Sequence, residues 1–258
     1  MIKNYLFRRP LLLTLFLLGY LLFLLASLPA AQILPRLPLP AGLQLRNING
    51  TLWQGSISEI SWQKYRLHNL QWEVLFSHLW LGMPTIKLDI QDPETITATG
   101  TIGWRGKWHL NNWHIKTAAN ILQNWAPVPL PITAAGTIQL NIEQLIVDHQ
   151  TCQILTGQLN WQQALINTPS GALVLGNPIA NFNCQNNAFN ATAIKQDSAS
   201  LHTQASLQLN LLGQYKLQAT LRPDTELPDG LHSALSWLGS ADNNGNILTK
   251  QEGYLPYF

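Results

Sequence analysis

Apolar and polar residues alternate through most of the chain beyond residue 43, and this pattern constrains the fold more than any other feature of the sequence. It is clearest in the segments Ile86–Ile90 and Ile138–Ile142. A period of two is typical of strands that bury one face. We therefore expect an all-β region of about a dozen antiparallel strands, arranged as a meander-rich curved sheet or a sandwich.

Two segments interrupt the alternation and predict short helices. They are Lys116–Trp125, which stops before Pro127, and Leu231–Leu238, which stops before Gly239. The tail that follows is polar and rich in Asn and Gly at its start. We expect this tail to be partly loose, because chain ends without packing partners are poorly ordered.

Two glycine-centred turns predict hairpins with three-residue loops, in which Gly takes the left-handed conformation. A loop over Leu212–Gln214 would pair Leu211 with Tyr215 and keep the apolar residues of both strands on one face. An Arg-Gly-Lys loop would likewise set Trp104 opposite Trp108. One long strand running through each Gly fits the same alternation and stays an alternative.

The N-terminal region holds an uncharged run of 18 residues, Leu11–Leu28. This length reaches across a bilayer core of roughly 30 Å. The cations Lys3, Arg8 and Arg9 precede the run and predict a cytoplasmic N-terminus with the bulk of the chain outside. A cleaved signal peptide is the alternative, but its apolar region is usually about 7 to 15 residues long, and Pro29 disfavours cleavage here.

These features divide the chain into four predicted parts. They are a cytoplasmic tip at 1–10, a transmembrane helix at 11–28, a proline-rich tether at 29–42 and a periplasmic β-rich domain at 43–258, less certain after about residue 240. Four prolines between Pro29 and Pro40 predict a stiff, extended tether.

Charged residues make up only 11% of the chain, less than half of the roughly 25% found in ordinary soluble domains. Without the three N-terminal cations, 12 cations face 13 anions. This balance excludes a nucleic-acid binder that depends on phosphate contacts. High apolar content with a small net charge also excludes intrinsic disorder.

The chain has two cysteines, Cys152 and Cys184. In an oxidising periplasm such a pair usually forms a disulfide, which predicts a covalent loop of about 30 residues worth about 3 to 4 kcal/mol. A metal site would need further Cys or His ligands at short spacing, and a redox site would need Cys-x-x-Cys.

No catalytic, metal or cofactor motif is present, so we predict a protein that is not an enzyme. His109 and His114 fall on opposite faces of an alternating strand and are not expected to share a metal. Most tryptophans lie in predicted strands and are expected to fill the core. For Trp80, in the segment Leu79–Gly82, a position near a membrane surface is an alternative prediction.

Several segments, taken in order, resemble one family. Gly50–Gly55 (Gly-Thr-Leu-Trp-Gln-Gly) resembles a signature of the type II secretion system protein N family. Leu70–Trp72 and the cysteine-bracketed centre resemble its later blocks, and the pattern departs from the family after Asp242. The matching residues, which we expect to be structural, are Gly50, Thr51, Leu52, Trp53, Gly55, Trp72, Gly82, Gly157, Trp161, Gly171 and Gly213.

The resemblance implies a non-catalytic inner-membrane component of the machine that exports folded proteins across the outer membrane. Its expected partners are other inner-membrane secretion components and the membrane, with no cofactor and no nucleic acid. The Gly-punctuated strands also look like those of AsmA-like membrane-anchored proteins. That kinship implies an alternative function, the binding of lipid or another hydrophobe, although fold-level analogy is weak evidence for function.

Overall fold

The computed structural model describes residues 5–63, 65–80, 82–121, 133–148, 151–169, 171–194, 201–223, 230, 239 and 241–254. The chain forms two compact units, residues 1–74 and 75–258. Most described residues lie in antiparallel strands, which confirms the predicted all-β fold class.

The first unit combines an N-terminal helix with a three-stranded meander. Its elements are α1 (Tyr5–Ala26), α2 (Ala30–Ile33), a 3-10 turn (Leu34–Arg36), β1 (Leu43–Gly50), β2 (Gln54–Trp62) and β3 (Tyr65–Val74). Large apolar side chains surround α1, and their exposed fractions run from 43% at Leu24 to 76% at Phe16. Among the described residues, no helix combines the length and the hydropathy that crossing a membrane requires.

The segment after α1 is not the extended tether that its prolines predict. Ala30–Ile33 is helical and Leu34–Arg36 forms a 3-10 turn, with Pro35 inside the first turn, where a missing N–H costs nothing. Ala30 is fully buried, and α2 packs against β1. Local helix formation and this packing therefore outweigh the extended preference of the proline-rich composition.

The second unit is built almost entirely of strands. Its elements are α3 (Phe76–Leu79), β4 (Thr85–Asp92), β5 (Ile96–Trp104), β6 (Trp108–Ala118), β7 (Thr133–Val147), β8 (Cys152–Thr168), β9 (Gly171–Gly176), β10 (Ile179–Gln185), β11 (Ala188–Ile194), β12 (Leu201–Asn210), β13 (Gln214–Pro223) and β14 (Ile247–Tyr254). From β4 to β14 each strand pairs antiparallel with the next, except that β9 and β10 share one edge of the long β8. The described strands of this unit thus form a single meandering sheet rather than a two-sheet sandwich.

The two predicted hairpins have different outcomes. Trp104 pairs with Trp108, with ring centroids 4.8 Å apart, so the hairpin around Gly106 is confirmed. In the other hairpin Leu209, not Leu211, pairs with Tyr215, so the predicted register was wrong by two residues. The cause is Asn210, whose side-chain oxygen accepts hydrogen bonds from the backbone N–H groups of Leu212 and Gln214 and draws Leu211 into the turn.

The predicted helices are only partly testable. Lys116–Ala118 still belong to strand β6, and helical backbone follows at 119–121, so the predicted helix was wrong at its start. Residues 122–125 and the second predicted helix, Leu231–Leu238, lie outside the described residues.

The C-terminal tail is more ordered than its composition predicts. β14 pairs with β13 along its length, from Leu221 opposite Ile247 to Gln214 opposite Tyr254. The preceding turn is held by Asp242, whose carboxylate accepts the backbone N–H groups of Asn244 and Asn246. The bond from Asn246 holds the pKa of Asp242 below its ordinary value of 3.8. An Asp-centred turn therefore directs the last strand onto the sheet.

Strand register gathers apolar residues on one face of this sheet. One row of directly paired positions crosses nine strands without a polar residue: Ile90, Ala98, Ile115, Leu140, Leu159, Ala180, Ala193, Ala205 and Ala219. We call this side the apolar face. On the reverse side, the polar face, a comparable row reads Thr99, His114, Asn141, Gln158, Asn181, Thr192, Ser206 and Gln218.

The apolar face is only partly shielded from solvent. Of the nine residues in its row, only Ala98 is buried, and the others are half-buried. Two buried apolar residues of the described part pack together near the C-terminus, where Leu221 and Ile247 contact Leu173 of β9. Among the described residues, β9 therefore covers the C-terminal part of the apolar face, and apolar side chains elsewhere on it pack against their cross-strand neighbours.

Glycines paired with aromatic rings recur in the sheet. A Cβ at Gly100 would come within 2.4 Å of the Trp113 ring. The Trp113 indole N–H donates to the carbonyl of Thr101 at 3.0 Å. This pair lies at a bulge where Asn112 adopts a left-handed φ of 52°. The ring lies over the glycine, fills the space that a side chain would take, and ties the bulge to the neighbouring strand.

We expect Gly100→Ala to lower the free energy of unfolding by about 2 to 3 kcal/mol, because the added methyl group displaces the Trp113 ring. Urea unfolding of the detergent-solubilised full chain measures this loss. Adding Trp113→Val to Gly100→Ala removes the clash, so the double variant should lose less than the sum of the two single variants. Strict additivity would contradict the ring-over-glycine account.

Candidate functional site: the helix–hairpin junction

The segment Gly50–Gly55 forms the turn between β1 and β2. The backbone N–H of Thr51 donates to the Gln54 carbonyl at 2.8 Å. The Thr51 hydroxyl accepts the backbone N–H groups of Trp53 and Gln54 at 3.3 Å each. Thr51 thus closes the turn with its side chain as well as its backbone, a standard use of Thr in tight turns.

Both glycines of this segment occupy positions that exclude a side chain. Gly50 has a φ of +89°, and a Cβ there would lie 2.5 Å from the Gln54 carbonyl oxygen. A Cβ at Gly55 would lie 2.4 Å from the ring of Trp72, which pairs with Gly55 across the strands. The Trp72 indole N–H donates to the carbonyl of Leu52 at 3.1 Å. Gly55 and Trp72 therefore repeat the ring-over-glycine arrangement, and the Trp72 indole bonds to the turn through Leu52.

The same turn is bonded to the C-terminal end of α1. The indole N–H of Trp53 donates to the carbonyl of Leu25 at 2.8 Å, and the backbone N–H of Leu52 donates to the carbonyl of Leu28 at 3.0 Å. Pro29 and Thr51 form a β-bridge beside these bonds. We call this set of contacts the junction. The Trp53 bond gives a partner to the carbonyl of Leu25, one of the last carbonyls of α1, which lack an intrahelical donor.

Ser27 completes the junction from the helix side. Its hydroxyl donates to the carbonyl of Phe23 at 2.8 Å and its backbone N–H donates to the same carbonyl at 3.0 Å. The Trp53 bond links positions 28 residues apart in the sequence. No sequence periodicity reports such a contact, so the resemblance could mark Trp53 as structural without showing what it binds.

The remaining motif residues are spread over the second unit and do not converge on one site. Gly82 follows α3 with a φ of +69°, and Gly213 lies in the β12–β13 turn with a φ of +82°. Gly157 pairs with Ile142 on the apolar face. The Trp161 indole N–H donates to the carbonyl of Ala135 at 3.0 Å. Gly171 opens β9.

The prediction that strand tryptophans fill the core was wrong for three of them. Trp62, Trp104 and Trp108 keep 44%, 39% and 45% of their surface exposed. Trp53 lies in a turn rather than a strand, and Trp72 is half-buried over Gly55. A strand position alone therefore does not bury a ring, and the cross-strand partner contributes to its exposure.

The two N-terminal arginines, Arg8 and Arg9, lie within helix α1. The third predicted orientation residue, Lys3, lies outside the described residues. The assignment of all three to the cytoplasmic side stays a prediction.

Cys152 and Cys184 form a disulfide with their Cα atoms 5.6 Å apart. This distance lies within the usual range for disulfides. Cys152 is buried at the start of β8, and Cys184 lies in the adjacent strand β10. The bond therefore joins β8 and β10 at the N-terminal end of β8. The C-terminal end of β8 pairs with β9.

The ionisable residues of the described part do not gather into a metal-binding group. Across the bulge at Asn112, His109 pairs with Gly103 and His114 pairs with Thr99. Gly103 and Thr99 lie on the same face of β5, so the two histidines share a face as well. The expectation of opposite faces was wrong, because the bulge changes the alternation. The two histidines are still separated along the strand, and the Nδ1 of His114 lies 2.9 Å from the side-chain oxygen of Asn141.

An open groove of 340 Å³ crosses the polar face between β4 and β7. Its lining is mostly neutral and polar and includes Thr97, Thr99, His114, Lys116, Gln139 and Asn141. Hydroxyl and amide groups of this kind suit hydrogen bonding to solvent or to a polar partner. They do not supply the paired acid and base that proton-transfer chemistry needs.

The fold and the junction define a class of protein. It is an antiparallel sheet protein whose first hairpin is bonded to the end of an apolar N-terminal helix.

Comparison with known proteins identifies the family. Residues 41–249 match the family model described as type II secretion system (T2SS), protein N. Proteins named type II secretion system protein N from Aeromonas hydrophila, Pectobacterium carotovorum and Vibrio cholerae are 33%, 34% and 32% identical to this chain. The alignments cover 95%, 92% and 88% of this chain and 98%, 94% and 91% of those proteins. No solved structure matches. The chain belongs to the type II secretion system protein N family.

We expect Cys152→Ser to lower the free energy of unfolding by about 3 to 4 kcal/mol, because the unfolded chain regains the freedom of a loop of about 30 residues. Urea unfolding of the oxidised full chain measures this change. Cys184→Ser and the reduced wild-type chain should lose the same amount. Equal unfolding midpoints for oxidised and reduced wild-type protein would show that the bond does not contribute.

We expect Trp53→Phe to loosen the junction, because the phenyl ring keeps the apolar contacts but lacks the N–H that binds Leu25. Loss of about 1 kcal/mol corresponds to about fivefold faster hydrogen exchange at the backbone N–H of Leu52. Trp62→Phe is the matched control, since its indole donates to the Ala41 carbonyl away from α1. Equal Leu52 exchange in both variants would exclude Trp53 as the residue that holds the junction.

Proposed function

We propose that this chain is a non-catalytic inner-membrane component of the type II secretion system that supports export of folded proteins across the outer membrane. Family membership over nearly the whole chain is the observation that carries this proposal. Its work would consist of periplasmic contacts with other inner-membrane secretion components rather than of chemistry.

The proposed topology is a single membrane pass with the N-terminus in the cytoplasm. The uncharged run Leu11–Leu28 and the cations that precede it support this orientation. Apolar side chains on all sides of α1 suit a lipid environment. The 1–10, 11–28, 29–42 and 43–258 division remains the proposed organisation, with Ala30–Ile33 of the third part packed against β1.

The outer edge of β14 is the surface best suited to a protein partner. Among the described residues, β14 pairs with β13, and on its other side only Ile247 is bridged, by Ala241. The rest of that edge therefore presents backbone donors and acceptors that an added strand can pair with. Exposed Leu248 and Tyr254 flank this edge with apolar surface.

A second candidate function is the binding of lipid or another hydrophobe on the apolar face. The observation that favours it is the row of nine apolar residues, of which eight are only half-buried. Ile86, on the same face, keeps 40% of its surface exposed. An acyl chain that covers apolar groups in contact with water lowers the free energy of the system.

Crosslinking in cells that carry the complete secretion machine distinguishes the two candidates. A photoreactive residue replaces Leu248 at the β14 edge, Ile86 on the apolar face, or Leu212 at the β12–β13 turn. Leu212 is the control, because it is 74% exposed but lies outside both surfaces. We expect Leu248 to crosslink to an inner-membrane secretion component and Leu212 to give background only.

Lipid adducts at position 86 with no protein adduct at position 248 would move the assignment to hydrophobe binding. The secretion proposal is contradicted if no position yields a secretion component and deletion of the protein leaves both secretion and partner assembly unchanged.

A further inference from the structure

A second apolar surface lies in the short segment that opens the second unit. Phe76, Leu79 and Trp80 expose 51%, 40% and 93% of their surface. Trp80 is the most exposed large hydrophobic residue in the described part of the chain. We call these three residues the α3 knob. Exposed aromatic and aliphatic groups that lie together usually mark an interaction site.

The backbone holds this segment in a defined shape. The N–H of Leu75 donates to the Thr85 carbonyl at 2.8 Å, and the N–H of Met83 donates to the His78 carbonyl at 3.1 Å. The hydroxyl of Thr85, a residue only 2% exposed, donates to the Met83 carbonyl. The apolar side chains are therefore presented by a built loop and would lose little backbone freedom on binding.

The residue that precedes this segment in the chain, Val74, is bonded to the turn that binds the helix end. The N–H of Val74, the last residue of β3, donates to the carbonyl of Trp53 at 2.6 Å. The indole of that same Trp53 binds Leu25 of α1. Phe76 follows Val74 by two residues, and two residues of chain span at most about 7 Å. Phe76 therefore lies within about 7 Å of Val74 whatever the arrangement of the two units.

The composition of the segment suits a bilayer surface. Twelve consecutive residues, from Leu75 to Ile86, carry no charged side chain. Trp is enriched at membrane–water interfaces, because its ring is apolar and its N–H can still bind water or lipid head groups. A segment held near a membrane by a helix in the same chain needs little intrinsic affinity, because its effective concentration there is high.

We propose that the α3 knob inserts into the head-group region of the bilayer from which α1 emerges. This inference rests on the proposed membrane anchoring of α1.

The test uses the full chain in phosphatidylcholine–phosphatidylglycerol vesicles. An environment-sensitive NBD dye is attached to Ser77→Cys, which leaves all three knob side chains in place. Control dyes are placed at Leu212→Cys, in an exposed turn, and at Phe16→Cys, in α1. Nitroxide-labelled lipids quench the dye at shallow or deep positions of the bilayer. Labelling without reductant preserves the native disulfide.

We expect shallow nitroxides to quench the dye at position 77 at least about twofold more than the dye at position 212. Phe76→Ser combined with Trp80→Ser should lower quenching at position 77 to the control level. Circular dichroism of this variant verifies that the sheet remains folded.

The outcomes separate the two proposals. Deep quenching at position 16 without quenching at position 77 overturns the knob inference and leaves the anchor standing. Absence of quenching at both positions overturns both proposals. Quenching at position 77 that persists in the Phe76→Ser/Trp80→Ser variant also overturns the role of the knob, because the membrane contact would then come from another part of the chain.

Discussion

Strand register is the constraint on which the second unit depends. In a single sheet, a slip of one residue in any strand would move its apolar side chains to the polar face. The row from Ile90 to Ala219 follows directly paired positions across nine strands, and the register shifts of β5 to β8 lie on either side of it. Asn112 in β6 and Gln163 in β8 take left-handed conformations where the register shifts. Bulges therefore preserve the separation of faces while they bend the strands.

Much of this architecture could be predicted from the sequence, because period-two alternation reports directly on strands with two unlike faces. The Trp104–Trp108 pairing followed from alternation and a glycine turn alone. The register at Asn210 did not, since a side-chain hydrogen bond to the backbone decided it. The order of the C-terminal tail was not predicted for a similar reason. Its Asn-rich composition gives no sign of the turn in which Asp242 bonds to the backbone. Local polar contacts of this kind leave no periodic signal.

The junction shows a different limit. Resemblance to the family marked Gly50–Gly55 as a unit, but its contacts with α1 join residues that are far apart in the sequence. The turn is shaped by its two glycines, by Thr51 and by Trp72. This shape places the Trp53 indole and the Leu52 N–H against the C-terminus of the helix. A Gly-Thr-Leu-Trp-x-Gly segment is understandable as a connector between helix and sheet. The disulfide, by contrast, could be predicted from cysteine count and compartment alone.

The bonds at the end of α1 have a mechanical consequence. Two hydrogen bonds and a β-bridge replace a flexible connection, so the helix and the first hairpin reorient together as a lever. In the proposed topology α1 crosses the membrane, and membrane helices tilt by about 20° on average. Strands of eight to ten residues such as β1 to β3 are about 30 Å long, and at that distance such a tilt moves the far end of the hairpin by about 10 Å. Small changes in helix tilt, caused by bilayer thickness or by a neighbouring helix, would therefore be amplified into displacements of the strands.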